Sequence, residues 1–351
     1  MQANTTENNG APEWWKEYIS SDPLFSELQD LRTKALEASN TDYLPKAGRK
    51  RQRINVEALQ ARVAKEDLFR GMETTGEKLV AETNILKLHT STPQVLDLCM
   101  APGGFVATVE KALPKSIIDT IILPTPLGGY NVLNPHIFRY VMHTDKLIYN
   151  LVDEGVVEND FETELYEITR PFLGGPYDLI FCGCAPAKYQ PREDYQSYCE
   201  AIRLSLSQLV FALDRLKPGG SLVLLLDRID AWHTVCILHA LSRFSEIQVY
   251  KHPEIHATKS SFYLVAKNVN LDHEDFKHAI NNWRDLWTYI GFEDTVDAQR
   301  MTWRCDKIDQ EKNFKSDFEQ FGPRFLELAR PVWKIQATAM RRASFNQSHK
   351  P

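Results

Sequence analysis

Short apolar runs alternate with helical stripes through the middle of the chain. Most runs are bounded by turn-forming residues and followed by a stretch whose apolar residues recur every three or four positions. A repeated order of buried strand and amphipathic helix is typical of a parallel sheet with helices on both faces. The runs predict seven strands, at 95–99, 116–123, 138–143, 177–182, 221–226, 246–250 and 261–267.

The last two predicted strands are expected to form an antiparallel pair at the end of the sheet. Both ends of the chain are predicted to be helical. Asp22 is expected to cap a helix that has Pro23 in its first turn. Further helices are predicted over two stretches before the sheet and two after it, and the last two carry aromatic stripes expected to pack against the parent domain. These four stretches are 54–69, 75–88, 276–290 and 325–335.

The stretch Gln94–Phe105 joins the first predicted strand to a glycine turn and the start of a helix. In doubly wound sheets, ligands bind at the carboxyl ends of the strands, where this turn lies. Gly103 and Gly104 lack side chains, which lets the backbone approach a ligand closely and adopt positive φ. Asp97 is a carboxylate in an otherwise apolar strand, where an unpaired charge is costly. We therefore expect Asp97 to face either the N–H groups of the turn or a ligand.

The residues of this turn exclude the common nucleotide-binding loops. Cys99 and Ala101 occupy the first glycine positions of the dinucleotide fingerprint, and no Gly-Lys-Ser/Thr follows for a triphosphate. The pattern Asp-Leu-x-x-Ala-Pro-Gly-Gly-Phe instead resembles the S-adenosylmethionine loop of the FtsJ-like methyltransferases, which act on ribose 2′-hydroxyls of RNA. The resemblance implies a Rossmann-like α/β sheet, S-adenosylmethionine as cofactor and RNA as acceptor. The cofactor-binding residues that it implies are Asp97, Ala101, Pro102, Gly103, Gly104 and Phe105, with Asp145 on the adenine.

Composition, periodicity and the resemblance together predict that the chain divides into four parts. Residues 1–12 are expected to be disordered, and 13–74 to form a helical extension that includes a basic linker at 46–53. Residues 75–270 are expected to form the FtsJ-like domain, and 271–351 a second helical extension.

The catalytic Lys-Asp-Lys-Glu set of this family is only partly matched. Lys78, on the helix before the first strand, fits the first lysine without a gap. Gly183 stands in place of the aspartate, Leu225 in place of the second lysine, and Ser261 in place of the glutamate. Asp227 lies two positions past Leu225, on the same face of an extended strand, and is the best candidate replacement. The acid that the family places at the end of strand two, on the donor ribose, is not evident.

The charge of the chain is negative, with a formal net value of −6. Proteins that follow phosphate backbones usually have a strong basic excess or a clear basic stripe. The one conspicuous basic run is the linker at 46–53. Three roles stay open for it: contact with RNA, a nuclear import signal, or a solvated linker.

Cysteine use and hydropathy predict the compartment. Six cysteines in 351 residues do not suggest a disulfide scaffold, so reduced thiols in a cytoplasmic or nuclear protein are expected. Cys182 and Cys184 have no second pair or nearby histidine to complete a tetrahedral zinc site, so no metal is predicted. The longest apolar run, 222–226, is too short to span a membrane. The first thirty residues have no apolar signal core, so secretion is not expected.

The leading function is methyl transfer from S-adenosylmethionine to RNA, as the resemblance implies. Two alternatives stay open because catalytic residues are missing. A catalytically inactive member would bind the donor or a protein partner as a scaffold. A small-molecule methyltransferase would fit the negative charge, since an amine, thiol or acidic hydroxyl needs less help with deprotonation. The sequence identifies no protein partner.

Overall fold

A computed structural model describes residues 11–41, 57–121, 176–183, 194–292 and 314–343 of the chain. Within these ranges, six strands form one sheet in the order β2-β1-β3-β4-β6-β5. They are β1 (Gln94–Asp97), β2 (Ile117–Thr120), β3 (Tyr177–Cys182), β4 (Leu216–Leu226), β5 (Glu246–Tyr250) and β6 (Phe262–Lys267). The predicted α/β fold class is confirmed. The strand predicted at 138–143 lies outside the described residues.

Five of these strands run in the same direction. β1 pairs in parallel with β2 and β3, and β3 pairs in parallel with β4. β6 is antiparallel to both β4 and β5, as predicted for the end of the sheet, so β5 is parallel to β4. The carboxyl ends of β1 to β5 therefore share one edge with the start of β6. We call it the carboxyl edge, and it is where ligands bind in open α/β sheets.

Helices cover both faces of this sheet. Those in the described ranges are α1 (Glu13–Ser20), α2 (Pro23–Thr41), α3 (Glu57–Thr83), α4 (Gly104–Ala112), α5 (Asp194–Leu213), α6 (Trp232–Phe244), α7 (Glu274–Phe292) and α8 (Phe314–Arg342). Apolar residues of α3 and α4 pack with one face of the strands, and the other helices share a larger core with the opposite face. Across the described ranges, no helix combines the length and apolar composition that crossing a membrane requires.

The terminal helices are joined to the domain by an aromatic cluster. The Trp15 ring of α1 lies 5.7 Å from Trp232 of α6 and 5.0 Å from Phe325 of α8. Phe25 of α2 lies 4.9 Å from Trp333 of α8. The apolar stripes of α7 and α8 are likewise buried in the main core, as predicted. These helices are thus part of the folded core of the protein.

The start of α2 follows its sequence signal. The Asp22 carboxylate accepts hydrogen bonds from the backbone N–H groups of Leu24 at 2.9 Å and Phe25 at 3.3 Å. These N–H groups have no acceptor within the first helical turn, and a capping side chain supplies one. The predicted cap at Asp22, with Pro23 as the first helical residue, is confirmed.

Helix α3 is continuous, whereas we predicted separate helices over 54–69 and 75–88. Residues 70–74, which lie between the two predicted helices, are helical, and Gly76 allows close packing of α3 against α4. A Cβ on Gly76 would lie 2.7 Å from the Thr108 hydroxyl of α4, and a Cβ on Gly71 would lie 3.8 Å from Ile255. Residue 75, the predicted start of the catalytic domain, lies inside this helix, and the domain limits stay a prediction.

Strand β4 begins five residues earlier than predicted. From the sequence alone, Lys217-Pro218-Gly219-Gly220 is predicted to stop the helix before β4, because Pro and Gly commonly follow a helix C-terminus. In the structure α5 already ends at Leu213. The glycines instead pair with the chain beyond β6, through Gly219 N–H to Val269 O at 2.9 Å and Val269 N–H to Gly220 O at 3.1 Å. The register between β3 and β4 shifts in this region. The Pro-Gly-Gly run is therefore an irregular first half of a strand.

Candidate functional site

The first strand ends in a turn that leads directly into α4 at the carboxyl edge. The helix begins at Gly104, and its N-cap residue Gly103 has φ 113° and ψ 14°. Residues with a side chain rarely adopt this backbone conformation. The positive φ expected in this turn is confirmed for Gly103.

Gly104 packs closely against α3, and its backbone contact with a ligand stays a prediction. The space that a side chain of residue 104 would take is occupied by α3. A Cβ on Gly104 would lie 2.5 Å from the Glu73 nitrogen and the Met72 Cβ, and 2.6 Å from the Phe69 carbonyl oxygen. The side chain is therefore absent because two helices meet here. Gly104 can face a ligand only through its backbone.

Asp97 lies at the end of β1 and is 2% exposed. Its carboxylate accepts a hydrogen bond from the Cys99 N–H at 3.0 Å, as expected for a residue facing the turn. Burial raises the pKa of Asp97 to about 7, and the hydrogen bond from Cys99 offsets only part of this rise. In the part of the chain that the structure describes, no cationic side chain pairs with this carboxylate. A buried acid without a cation is suited to a positively charged group of a ligand.

Thr120 closes β2 directly beside Asp97 in the sheet register. It is 1% exposed, and its hydroxyl has no hydrogen-bond partner within the described ranges. Asp119, one residue earlier, alternates to the opposite face and accepts a hydrogen bond from the Tyr177 hydroxyl at 2.8 Å. The strand also ends before the predicted limit of 123. The site therefore presents a hydroxyl at the end of β2, where the family resemblance led us to look for an acid.

An aromatic wall that we did not predict lies next to the turn. The Phe105 ring lies 5.5 Å from Phe181 of β3 and 5.4 Å from Tyr263 of β6. Burial, followed by the nearby charge of Asp97, raises the pKa of Tyr263 well above its ordinary value. Its hydroxyl is thus protonated and close to Asp97. The Tyr-x-Val-Ala run at 263–266, which places this tyrosine in a strand, was the signal that could have predicted it.

The three positions where the family has charged catalytic residues all lie near the carboxyl edge, without the charges. Gly183 follows β3, and a Cβ there would meet Cys99 Cβ at 4.0 Å as its nearest neighbour. Leu225 is a half-buried residue of β4, opposite Tyr263 in the register. Ser261 directly precedes β6 and has no acidic side chain to offer.

Asp227 is an exposed residue at the end of β4. Its carboxylate accepts a hydrogen bond from the hydroxyl of Ser260, which belongs to the segment before β6. This segment is held by Lys251, a 5% exposed lysine that the sequence analysis missed. The Lys251 ammonium donates to the carbonyl oxygens of Lys259 at 2.7 Å, Ser261 at 2.8 Å and His256 at 3.4 Å. Burial lowers the pKa of Lys251 to about 8, and the charge of Asp227 opposes this shift.

Lys78 is an exposed residue of α3 and makes no ion pair within the described ranges. Burial, followed by the charge of Lys78, lowers the pKa of His252, which begins the loop after β5. His252 Nδ1 accepts the N–H groups of Glu254 at 3.1 Å and Ile255 at 2.9 Å. The two predicted catalytic residues therefore border the same loop, 251–261, with Lys78 near its start and Asp227 near its end.

Several predicted residues cannot be placed. Asp145, Cys184 and the basic run at 46–53 lie outside the described residues. Cys182 is a buried free thiol that packs in the core as an apolar side chain, as expected. In the ranges that the structure describes, no three histidine, cysteine or acidic side chains are grouped so that they could hold a metal ion.

Comparison with known proteins places the turn and the loop inside the range matched by one family model. Residues 77–269 match the family model described as FtsJ-like methyltransferase. The chain is 23% identical over 191 residues to ribosomal RNA large subunit methyltransferase E of Gluconobacter oxydans, which covers 54% of this chain and 61% of that protein. The chain thus spans less than two thirds of this curated relative.

Two similar solved structures are a putative ribosomal RNA methyltransferase of Plasmodium falciparum and human methyltransferase-like protein 13 in complex with SAH. The first is 15% identical with a TM-score of 0.37, and the match covers 55% of this chain and 93% of that one. The second is 15% identical with a TM-score of 0.32, covering 66% and 96%.

Proposed function

Because this chain belongs to the FtsJ-like methyltransferase family, we propose that it is an S-adenosylmethionine-dependent methyltransferase that acts on RNA. The observation that carries the proposal is the buried carboxylate of Asp97 beside the positive-φ turn at Gly103, which no cationic side chain of the described residues neutralises. A buried, unpaired carboxylate raises the free energy of the protein without ligand, and binding of a cationic ligand lowers it again.

The residues of the turn fit such a donor. When bound, the donor supplies a methyl group on a positively charged sulfur. Asp97 would face the positive charge of the donor. The hydroxyl of Thr120, which has no hydrogen-bond partner among the described residues, would bind its ribose. Backbone groups from Ala101 to Phe105 would line the same pocket, and Asp145 would bind the adenine by family resemblance. Each of these roles is a proposal about this chain.

The acceptor side is formed by the loop 251–261 and the end of β4. Methyl transfer is an in-line displacement, so the protein mainly has to align donor and acceptor. A hydroxyl acceptor must also lose its proton during the reaction. Asp227, exposed and hydrogen-bonded by Ser260, is the group we assign to accept that proton. Lys78, exposed and without an ion-pair partner in the described ranges, is placed to attract a phosphate.

RNA is the proposed acceptor because the curated relative is named as a ribosomal RNA methyltransferase. A small-molecule acceptor is the second candidate, and two observations favour it. The net charge is −6, and the lysine that the family uses on the ribose hydroxyl is replaced by Leu225. An amine, a thiol or an acidic hydroxyl would need less help from a base.

Purified protein incubated with methyl-labelled donor, total RNA and a metabolite extract tests these readings. We expect label in RNA, and we expect Asp227→Asn to reduce it at least about ten-fold because the proton acceptor is lost. Asp214→Asn is the matched control. Asp214 pairs with Arg284 and precedes β4, so it lies at the opposite edge of the sheet from Asp227. Label in small molecules alone would replace RNA by the second candidate. Label in neither fraction would contradict the proposed methyltransferase activity and favour an inactive scaffold.

A further inference from the structure

A buried polar cluster links the two terminal extensions to the carboxyl edge. Arg32 of α2 makes two hydrogen bonds to Asp230, from Nη1 at 3.0 Å and from Nη2 at 3.2 Å. Arg32 Nη2 also donates to the side-chain oxygen of Gln336, on α8, at 2.9 Å. The exposed fractions of Arg32, Asp230 and Gln336 are 9%, 0% and 3%. Residues from opposite ends of the chain thus meet in the interior.

Both ends of this cluster lead to the acceptor side of the proposed site. Asp230 lies three residues after Asp227 and also accepts a hydrogen bond from Arg228 at 2.9 Å. The Gln336 amide donates to the carbonyl oxygen of Thr258 at 3.2 Å, two residues before Ser260. Asp227 and Ser260 are the pair joined by a hydrogen bond at the site. The cluster therefore holds the backbone on both sides of that pair.

Packing alone does not account for these charges. Burial alone would raise the pKa of Asp230, but the charges of Arg32 and Arg228 hold it below its usual range, so the carboxylate stays ionised. Buried ion pairs often contribute no more stability than apolar residues of similar size. The aromatic cluster of Trp15, Phe325 and Trp333 already joins the terminal helices to the core. Two-point hydrogen bonding to Asp230 adds a fixed geometry that apolar contacts do not supply.

We propose that the terminal helices position the acceptor side of the site through Arg32, Asp230 and Gln336, which we name the acceptor clamp. The proposal rests on the proposed methyl transfer, and it makes the three clamp residues positioning residues that act through Asp227 and Ser260. The turn between β1 and α4, where we propose that the donor binds, is the donor turn. It packs against α3 and α4, on the opposite face of the sheet from α2 and α8. The clamp should therefore control turnover of the acceptor and leave donor binding unchanged.

Gln336→Glu tests one hydrogen bond of the clamp while it keeps another. A carboxylate at this position still accepts the hydrogen bond from Arg32, but it cannot donate to the Thr258 carbonyl oxygen. Trp333→Phe is the matched control, because it weakens the packing of the same helix against Phe25 without touching Thr258. Both variants are compared with wild type in the full-length chain.

Three readouts follow each variant: amide hydrogen exchange at Ala257 and Lys259, S-adenosylhomocysteine binding by calorimetry, and methyl transfer to total RNA. The two amides donate within the loop, to Glu254 O at 3.3 Å and His256 O at 2.9 Å. In Gln336→Glu we expect exchange at both to be about ten-fold faster and kcat to fall about ten-fold, with the donor Kd unchanged within about two-fold. Trp333→Phe should lower the melting temperature and leave the other readouts near wild type.

Equal exchange in Gln336→Glu and wild type would overturn the clamp. Faster exchange with unchanged kcat would overturn its role in positioning. An equal loss of kcat in Trp333→Phe would show that the loss comes from lower stability of the whole protein, and this result would overturn the clamp as well. If wild type transfers no methyl group, the proposed function fails, and the exchange rates alone then decide whether Gln336 fixes the loop.

Discussion

The double variant Gly183→Asp/Leu225→Lys is expected to methylate ribose 2′-hydroxyls in structured RNA roughly 10²–10⁴-fold faster than wild type. A ribose hydroxyl is a very weak acid and needs a positioned base to become a competent nucleophile. The wild-type positions carry Gly183, Leu225 and Ser261, which supply neither a base nor charges to orient one. With Asp227 as the assigned proton acceptor in their place, 2′-O-methylation by wild type should accordingly be weak.

The structure has room for both substitutions. The nearest atom to a Cβ on Gly183 is Cys99 Cβ at 4.0 Å, an ordinary contact distance. Leu225 is half-buried at the carboxyl edge, so a lysine there can bury its stem and extend its ammonium toward the site. The new aspartate would directly follow β3, and the new lysine would lie on β4, the neighbouring strand of the sheet.

Turnover on structured RNA, followed by mapping of the methylated ribose, measures this gain. Gly183→Asp/Leu225→Met is the matched control, since it keeps the aspartate and fills the leucine site without a base. Robust 2′-O activity in wild type would contradict the roles assigned to these positions. Loss of that activity in Asp227→Asn would then identify the replacement base.

Asp97→Asn is expected to make the free protein more stable at pH 8 while abolishing donor binding. Burial raises the pKa of Asp97 to about 7, above the value of about 3.9 for an exposed aspartate. The folded state therefore binds the proton more tightly than the unfolded state. Stability falls as the pH rises from about 4 to about 7 and levels off above that range.

The size of this effect follows from the same shift. Between pH 5 and pH 8, wild type should lose on the order of 3 kcal/mol relative to Asp97→Asn, because an amide has no charge to desolvate. Urea unfolding of both proteins at the two pH values measures the difference. Asp178→Asn is the control, since Asp178 pairs with Lys217 at 2.7 Å and its loss should destabilise the protein. If the stability of Asp97→Asn relative to wild type does not increase between pH 5 and pH 8, this carboxylate is not in the buried environment described.

Local sequence signals predicted the parts of the fold that depend on local physics. The cap at Asp22, the strand and turn at 94–105 and the aromatic stripes of α7 and α8 follow from capping, apolar runs and helical spacing. Two predictions went wrong where tertiary contacts decide the local structure. Residues 70–74 continue α3, which packs against α4 through Gly76, and Gly219 pairs with Val269 inside a strand.

The candidate site was predictable only in part, for a related reason. The donor turn is contiguous in sequence, so its residues were visible as one motif. The acceptor side is assembled from distant segments: Asp230 and Arg32 are 198 positions apart, and Gln336 and Arg32 are 304 apart. Lys251 follows a short edge strand, and no local signal in the sequence indicates that it donates hydrogen bonds to three carbonyl oxygens. Such residues become recognisable only when the chain is folded.

The central claim is that the donor binds at the turn between β1 and α4, and calorimetric titration with S-adenosylhomocysteine tests it most directly. Wild type and Gly103→Val are compared with Gly219→Val, which introduces valine at another positive-φ glycine, with φ 74° and no atom within 4 Å of the new Cβ. We predict binding by wild type and Gly219→Val, and a loss of at least about 100-fold for Gly103→Val, because a branched side chain blocks the backbone approach. Equal binding by wild type and Gly103→Val would contradict the assigned site, and no binding by wild type would contradict the cofactor itself.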